Sequence, residues 1–343
     1  MFTGRIVCTI SHSGQAMVRE RSRVALVTGA TGFVGSHLVE ALLSRGWRVR
    51  CLVRRSSVLK WLPVDDVSLV NADVSIPGDD LDRAVHNVSA VFHLAAVTSA
   101  PTEAAYNAAN VEGTRNVVNA MRKSAPDALL IFCSSLAAAG PARSRPLNET
   151  DEPNPVSAYG RSKLTAERIV EESGIEHVII RPPAVYGPRD KDILAAFRLV
   201  SHGLALRIAP EGQRLSMVHA EDLARGVAGA AESEGRGVYY ITDGMVHTWE
   251  SIIDHISRAV GKKPKVIAVP TGIADAISRA DTFRSSVMGS KPLLTPDRIT
   301  ELTQANWTCD DTRARLDFDY ESTISLPDGI KSTAEWYRAQ KWI

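Results

Sequence analysis

The chain has 343 residues, of which 44% are hydrophobic, four cysteines and a formal net charge of +1. That length and apolar share suffice for one large core, or a main core with a smaller lobe attached, so the chain reads as an ordinary globular protein. A charge balance so near neutral supplies no field to gather nucleic acid or anionic membrane: nucleic acid is excluded as a partner, and Lys262-Lys263-Pro264-Lys265 reads as a solvated loop. Cys8, Cys51, Cys133 and Cys309 lie far apart without metal-ligand spacing, so no metal is expected and a reduced, cytoplasmic chain fits. No apolar run approaches the roughly 20 residues of a membrane span, and the N-terminus lacks a signal peptide's continuous apolar core. Residues 1–22 read as a polar, Arg-bearing extension without fixed structure, and Met17 offers an alternative start shortly before the first strand.

Val24-Ala25-Leu26-Val27-Thr28 is a short apolar run ending at Gly29, followed by a helical pattern from Phe33 to Leu43 and a second strand from Trp47 to Val53. These form a βαβ unit. Strand-like runs follow at Val67–Val70, Ala90–Leu94, Leu129–Cys133 and His177–Ile180, with helices near 103–123 and 157–172 between the later ones. The alternation predicts an α/β fold, a doubly wound parallel sheet with helices on both faces. After Pro182-Pro183 the rhythm breaks into shorter pieces, which predicts a smaller lobe.

The first strand-to-helix turn reads TGATGFVGSH, with Gly29, Gly32 and Gly35 between strand and helix. Small residues there let backbone approach a pyrophosphate, whose charge the helix N-terminus stabilises; the alternative is a tight turn for close helix packing. At the end of the second strand, where a carboxylate would bind the adenosine ribose of NAD, stand Arg54 and Arg55. A guanidinium there suits a 2′-phosphate, so NADP is favoured, with NAD the alternative if both arginines are merely solvated. Farther along, SAYGRSKLTAE sets Tyr159 four residues before Lys163, on one helical face.

Together these motifs, from about Val24 onward, resemble the extended short-chain dehydrogenase/reductase family, in its branch of steroid dehydrogenases and dihydroflavonol reductases. The resemblance implies a Rossmann fold: an NAD(P)-binding domain over 23–183 and a mainly substrate-binding lobe over 184–343, of which about 219–242 returns to the first domain. Gly29, Thr31, Gly32, Phe33, Val34 and Gly35 resemble its cofactor loop, Asp73 and Val74 its adenine contact, and Leu94, Ala95 and Ala96 the strand end under the pyrophosphate and ribose. Arg54, Pro182, Val185, Tyr159 and Lys163 complete the implied cofactor set. Asn110-Val111-Glu112-Gly113-Thr114 is similar to a family helix motif, in which Asn110 orders the helix or a proton-relay water, or is simply a buried, paired amide. Tyr159, Lys163 and Ser135 match the catalytic group. A phenol with an ordinary pKa of about 10 needs a nearby cation to act as a base near pH 7, which Lys163 and an oxidised nicotinamide would supply, while Ser135 holds the substrate oxygen.

Departures narrow the substrate. Ser135 is followed by Leu136 and Ala137, not the Asp-Glu pair of dehydratases. Nucleotide-sugar enzymes carry an Asn and an Arg for the substrate diphosphate, where this chain has Ala184 and Leu215. Arg214 could substitute only through a one-residue register shift. The implied activity is hydride transfer between NADP(H) and a secondary alcohol or ketone of a hydrophobic small molecule, with a nucleotide-sugar epimerase and a non-catalytic NADP sensor as alternatives. The resemblance also implies a homodimer, packed through the helices near 103–123 and 157–172, where Ala104, Ala105, Ala108 and Ala109 allow close approach. The spacing of Ile273, Ala276 and Ile277 reads as the buried or pocket-lining face of a helix, and Asp281 to Lys291 as mobile.

Overall fold

Each predicted strand of the first half is present in the computed structural model, which describes residues 23–288, 292 and 294–343. The readings made for residues 1–22, with Cys8 and Met17, lie outside the described residues. β1 (Val24–Thr28) leads through the glycine turn into α1 (Phe33–Ser44), and β2 (Arg48–Val53), β3 (Ser68–Asn71), α2 (Asp79–Val85) and β4 (Ala90–His93) follow. The helix α3 (Glu103–Tyr106) continues through a π-helical turn, Asn107–Glu112, into α4 (Gly113–Ser124). Then come β5 (Leu129–Cys133), the single turn α5 (Leu136–Ala139), α6 (Ala158–Glu171) and β6 (His177–Ile180). The shorter pieces are β7 (Ala184–Tyr186), α7 (Leu194–Ser201), β8 (Leu204–Arg207), β9 (Arg214–His219), α8 (Ala220–Ala230) and β10 (Gly237–Tyr239). The chain closes with β11 (Val246–Thr248), α9 (Trp249–Val260), β12 (Lys265–Ala268), α10 (Thr271–Met288), α11 (Pro296–Leu302), β13 (Asn306–Trp307), α12 (Thr312–Phe318) and α13 (Leu326–Ala339).

Seven strands form one sheet in the order β10-β6-β5-β4-β1-β2-β3, and every neighbouring pair is parallel. A parallel sheet is covered on both faces, which is why its central strands are continuous apolar runs such as Leu129–Cys133. Alternating side chains feed two cores: Ala25 and Val27 pack with Leu38, Leu42 and Val227 on one face, and Leu26 packs with Val117, Met121 and Val170 on the other. β1 lies between β2 and β4, so the winding reverses there, at the carboxyl ends of β1 and β4. From the second half of the chain, β10 extends this sheet, and Ala314, Phe318 and Tyr320 pack into its first core beside Tyr239. The lobe has its own core of Phe197, Ile252, Ile256, Ile330 and Tyr337.

Helix α10 runs on through Met288 and departs from its sequence reading in the side it turns outward. Its apolar residues Ile273 and Ile277 face solvent, while Ala274 and Ser278 are buried. Among the described residues, no helix is long and apolar enough to cross a membrane and no cluster of His, Cys, Asp or Glu could hold a metal ion.

Candidate active site

The residues singled out in the sequence gather along the carboxyl edge of the large sheet, because each follows a parallel strand. After β1, Gly29 adopts φ +71°, and a Cβ there would lie 2.8 Å from the backbone of Leu94 and Ala95. Gly29 thus lets the turns after β1 and β4 close on one another. A Cβ on Gly35 would meet the Gly29 carbonyl oxygen at 2.1 Å, so α1 packs directly on the turn. Gly32 precedes α1 with no side chain capping the helix, and the half-buried Thr31, Phe33 and Val34 flank it. Room where side chains would be, at the positive end of a 12-residue helix, fits a dinucleotide pyrophosphate.

Arg54 is exposed just beyond β2 and acts on Asp73 beyond β3. Burial raises the Asp73 carboxyl, but hydrogen bonds from the Ser75 N–H (2.9 Å) and hydroxyl (2.8 Å), with the Arg54 guanidinium, outweigh it and hold the pKa below its ordinary value. Val74 rests against Gly113 and accepts a bond from Asn116 through its carbonyl. The Leu94 and Ala95 amides bond to the Thr28 carbonyl and hydroxyl, each at 3.2 Å, and Ala96 is exposed beside them. After β6, the Pro182 carbonyl accepts from Leu136, the residue after Ser135, and Val185 is half-buried in β7.

At the end of β5, Ser134 is buried with its hydroxyl unpartnered, and Ser135 accepts a bond from the Ala137 N–H. Its hydroxyl also lies close enough to the Tyr159 phenol to favour the ionised form. Burial, with Cys133 and Glu301 nearby, pushes the phenol well above its ordinary pKa, against the pull of Ser135. The Tyr159 ring packs on Tyr106 at 5.9 Å. Lys163 shares the helical face, but its ammonium donates to the Cys133 carbonyl at 2.7 Å and lies 4.2 Å above the Phe132 ring. Burial lowers it to about 8. Asn110, in the π-helical turn, accepts from the Val97 N–H at 2.8 Å and donates to the Val97 carbonyl and the Ser162 hydroxyl at 3.1 and 2.9 Å. That hydroxyl in turn donates to the Tyr159 carbonyl, so Asn110 ties the loop after β4 to the helix carrying the phenol.

Three sets of contacts were not read from the sequence, although His93 belongs to the strand end that resembles the family's. His93 is fully buried: its Nε2 bonds Thr114 at 3.1 Å and its Nδ1 bonds Thr28 at 2.7 Å. The Thr114 hydroxyl donates onward to the Asn110 carbonyl, and the Thr28 hydroxyl accepts from Ala95, so Nε2 carries the proton and Nδ1 accepts. Burial, helped by Lys163, lowers His93 to about 3, so the ring stays neutral and links the glycine turn to α4. Second, α11 reaches over from the lobe: Asp297 accepts from the Ala158 and Tyr159 N–H groups at 2.6 and 3.0 Å, and Glu301 accepts from the Ser157 hydroxyl at 2.7 Å. Third, Arg181 and Glu167 form a buried two-pronged ion pair at 3.0 and 2.6 Å, and Arg181 also donates to the Tyr240 hydroxyl. A capping serine at 157 and an Arg before Pro182-Pro183 were visible signals, but their partners lie far off in sequence.

The substrate-facing departures have a structural counterpart. In β9 Leu215 packs on the lobe core, and Arg214, on the other face, is exposed. Ala184 is exposed at the start of β7.

The profile of the NAD dependent epimerase/dehydratase family matches residues 25–241. The chain is 32% identical over 330 residues to a ceramide reductase of Caulobacter vibrioides, covering 95% of this chain and 98% of that one. It is 27% identical over 319 residues to a 4-hydroxy-2-methyl-3-oxo-4-farnesyl-3,4-dihydroquinoline-1-oxide ketoreductase of Stigmatella aurantiaca, covering 89% and 93%. In fold it resembles the UDP-glucose 4-epimerase of Thermus thermophilus solved with NAD, with a TM-score of 0.74, 23% identity and coverage of 92% and 99%. The chain therefore belongs to the NAD-dependent epimerase/dehydratase family, the extended short-chain dehydrogenase/reductases, and is an enzyme of that type.

Proposed function

We propose that the protein is an NADP-preferring reductase or dehydrogenase, interconverting a ketone and a secondary alcohol of a hydrophobic small molecule. The observation that carries this reading is the placing of Ser135, just after β5, close enough to the Tyr159 phenol to bear on its ionisation, on the sheet edge that also bears the glycine cradle. When bound, the nicotinamide supplies or accepts the hydride. Burial keeps the Tyr159 phenol protonated, the form reduction uses: its O–H bond breaks and the proton passes to the carbonyl oxygen as that oxygen becomes an alcohol. Ser135 donates a hydrogen bond to the same oxygen and fixes its place. Lys163 holds the Cys133 carbonyl, and with it the strand end from which Ser135 projects, and brings positive charge to the site. Asn110 is a positioning residue.

The hydrophobic substrate is supported by the ceramide and farnesyl-quinoline relatives and by Ala184 and Leu215, where a diphosphate would lose solvation without a partner. The test is a screen at the reduced-nicotinamide absorbance band, with long-chain and ring-bearing ketones against nucleotide sugars. Turnover of the former, reduced about two to four orders of magnitude by Tyr159→Phe with cofactor binding intact, supports the reading. Micromolar binding of a nucleotide sugar would put an epimerase in its place, and normal turnover by Tyr159→Phe would remove the mechanism. Intact Ser135, Tyr159 and Lys163 argue against a non-catalytic sensor.

The NADP preference rests on Arg54. A charge-assisted phosphate contact contributes about 1.5 to 3 kcal/mol, a preference of roughly tenfold or more. Titration should show NADP binding tighter than NAD and Arg54→Ala erasing the difference; equal affinities in the unaltered protein would refute it. The same reading takes the chain as a cytoplasmic homodimer packed through α3, α4 and α6, where Ala104 and Ala108 are exposed. Sedimentation as a monomer at micromolar concentration would remove the dimer.

A further inference from the structure

Lys163 and Glu167 stand four residues apart on α6, and both are buried. Opposite charges at that spacing are neighbours on a helix and ordinarily pair, the more so out of water. Here they do not. Arg181 takes both Glu167 oxygens, through Nε at 3.0 Å and Nη2 at 2.6 Å. The Lys163 ammonium goes instead to the Cys133 carbonyl at 2.7 Å and lies over the Phe132 ring, and among the described residues no carboxylate pairs with it.

Arg181 is fixed from a third element. Its Nη1 donates to the Tyr240 hydroxyl at 3.2 Å and its backbone N–H to the Tyr239 carbonyl at 2.8 Å, so the guanidinium is tied to the end of β10 while its other nitrogens reach α6. Stability alone does not account for the arrangement, because a buried ion pair gains little over apolar side chains of the same size. Its effect on Lys163 does. Without the guanidinium, Glu167 would be an uncompensated carboxylate one helical turn from a buried ammonium, and the two would close on each other.

Burial lowers the Lys163 pKa while Cys133 and Glu167 raise it, so the carboxylate is within electrostatic reach. The other titratable groups near the ammonium do not compete for it. Burial keeps the Tyr159 phenol, one turn earlier on α6, and the Cys133 thiol of β5 protonated, and His93 of β4 is neutral. Among these groups Glu167 alone is an anion. We propose that Arg181 is a positioning residue for the Tyr159 chemistry: by holding Glu167 it leaves the Lys163 ammonium to the Cys133 carbonyl, at the strand end that carries Ser135. The consequence for catalysis rests on the oxidoreductase reading; the placing of the ammonium does not.

The test is a proton titration of Lys163 by NMR in the full chain with isotope-labelled lysine side chains, without substrate or cofactor, the signal being assigned by its loss in Lys163→Arg. In the unaltered protein the midpoint should lie at about 8. Arg181→Gln removes the charge but keeps a donor, and the midpoint should rise by about one pH unit or more as Glu167 draws the ammonium to itself. Arg181→Lys, which keeps the charge, should hold it near the unaltered value. Arg181→Met together with Glu167→Leu should bring it back to about 8 or lower, because the competing carboxylate has gone. Melting curves verify that each variant is folded. If Arg181→Gln does not fold, the double variant decides, since it too lacks the guanidinium. With a ring-bearing ketone as substrate, kcat should fall about tenfold or more in Arg181→Gln and recover most of that loss in the double variant. The proposal is overturned by an unmoved midpoint in Arg181→Gln, by a raised midpoint in the double variant, or by a raised midpoint with kcat unchanged. Absence of turnover with every ketone would refute the functional reading and leave the titration to decide the placing of Lys163; an unmoved Lys163 would refute the proposal and leave that reading intact.

Discussion

The Asp297 carboxylate accepts the backbone N–H of Tyr159 at 3.0 Å, and that of Ala158 at 2.6 Å, so a residue of the lobe caps the helix that carries the phenol. Ser157 takes the next amide, Gly160, at 2.9 Å, and its own hydroxyl is held by Glu301. The first-turn amides of α6, which a helix leaves without internal partners, are all occupied. Two carboxylates at this end also suit the helix dipole.

Asp297→Ala should therefore cost about 1 kcal/mol of stability, the usual loss for a cap, read as a lower urea midpoint. Because the cap also sets the first turn on which Tyr159 stands, kcat should fall about tenfold or more with KM for the cofactor unchanged. Asp297→Asn, which keeps one acceptor, should lie between the two. An unchanged kcat in Asp297→Ala would show that the lobe does not position Tyr159.

The Arg181–Glu167 pair joins β6 to α6 in full burial. Glu167→Leu strands a guanidinium in the core and should cost about 3 to 5 kcal/mol. Arg181→Met together with Glu167→Leu should recover most of that loss, because two charges leave the interior at once. Urea denaturation of the two variants decides, and equal losses would mean that Arg181 finds another partner.

His93 imposes a pH dependence with a definite sign. Its folded pKa of about 3 lies below the ordinary 6.5, so between those values the unfolded chain binds a proton that the folded chain does not. The stabilisation is complete above 6.5 and is lost as pH falls toward 3, on the order of 2 kcal/mol by about pH 5. Asp190 works the other way, since burial pushes its carboxyl up to about 7 and acidification favours its folded form. The measurement is thus a difference: between neutral pH and about 5 the wild type should lose roughly 2 kcal/mol more than His93→Gln. A gap that does not change with pH would show that His93 titrates normally.

The large sheet and its edge were legible because both rest on local pattern. Strands buried on two faces must be apolar throughout, and β1, β5 and β6 can be read directly from Val24–Thr28, Leu129–Cys133 and His177–Ile180. The glycine turn was legible because Gly29 needs a positive φ and Gly35 has no room for a Cβ. The four-residue spacing of Tyr159 and Lys163 sets them on one face of α6 wherever the helix lies.

That spacing could not say where the ammonium would go. Lys163 turns to Cys133, at the end of β5, because a buried cation takes the carbonyl that packing brings near. The cap on Tyr159 comes from a residue 138 positions away, and the pairing of Arg181 with Tyr240 spans 59. Nothing in local composition encodes such partners. The face of α10 was misread for the same reason: periodicity shows that Ile273 and Ile277 share a side, but only the packing of Ala274 and Ser278 against the rest of the chain decides which side meets water. Sequence by itself determined the strands of the first half, their parallel sheet and the edge on which the chemistry gathers, since backbone geometry and hydrophobic period act over a few residues. The partners of each buried polar group, and the side of α10 that meets water, were decided only by tertiary structure, because satisfying a charge or hydrogen bond out of water depends on what distant segments bring within 3 Å or so.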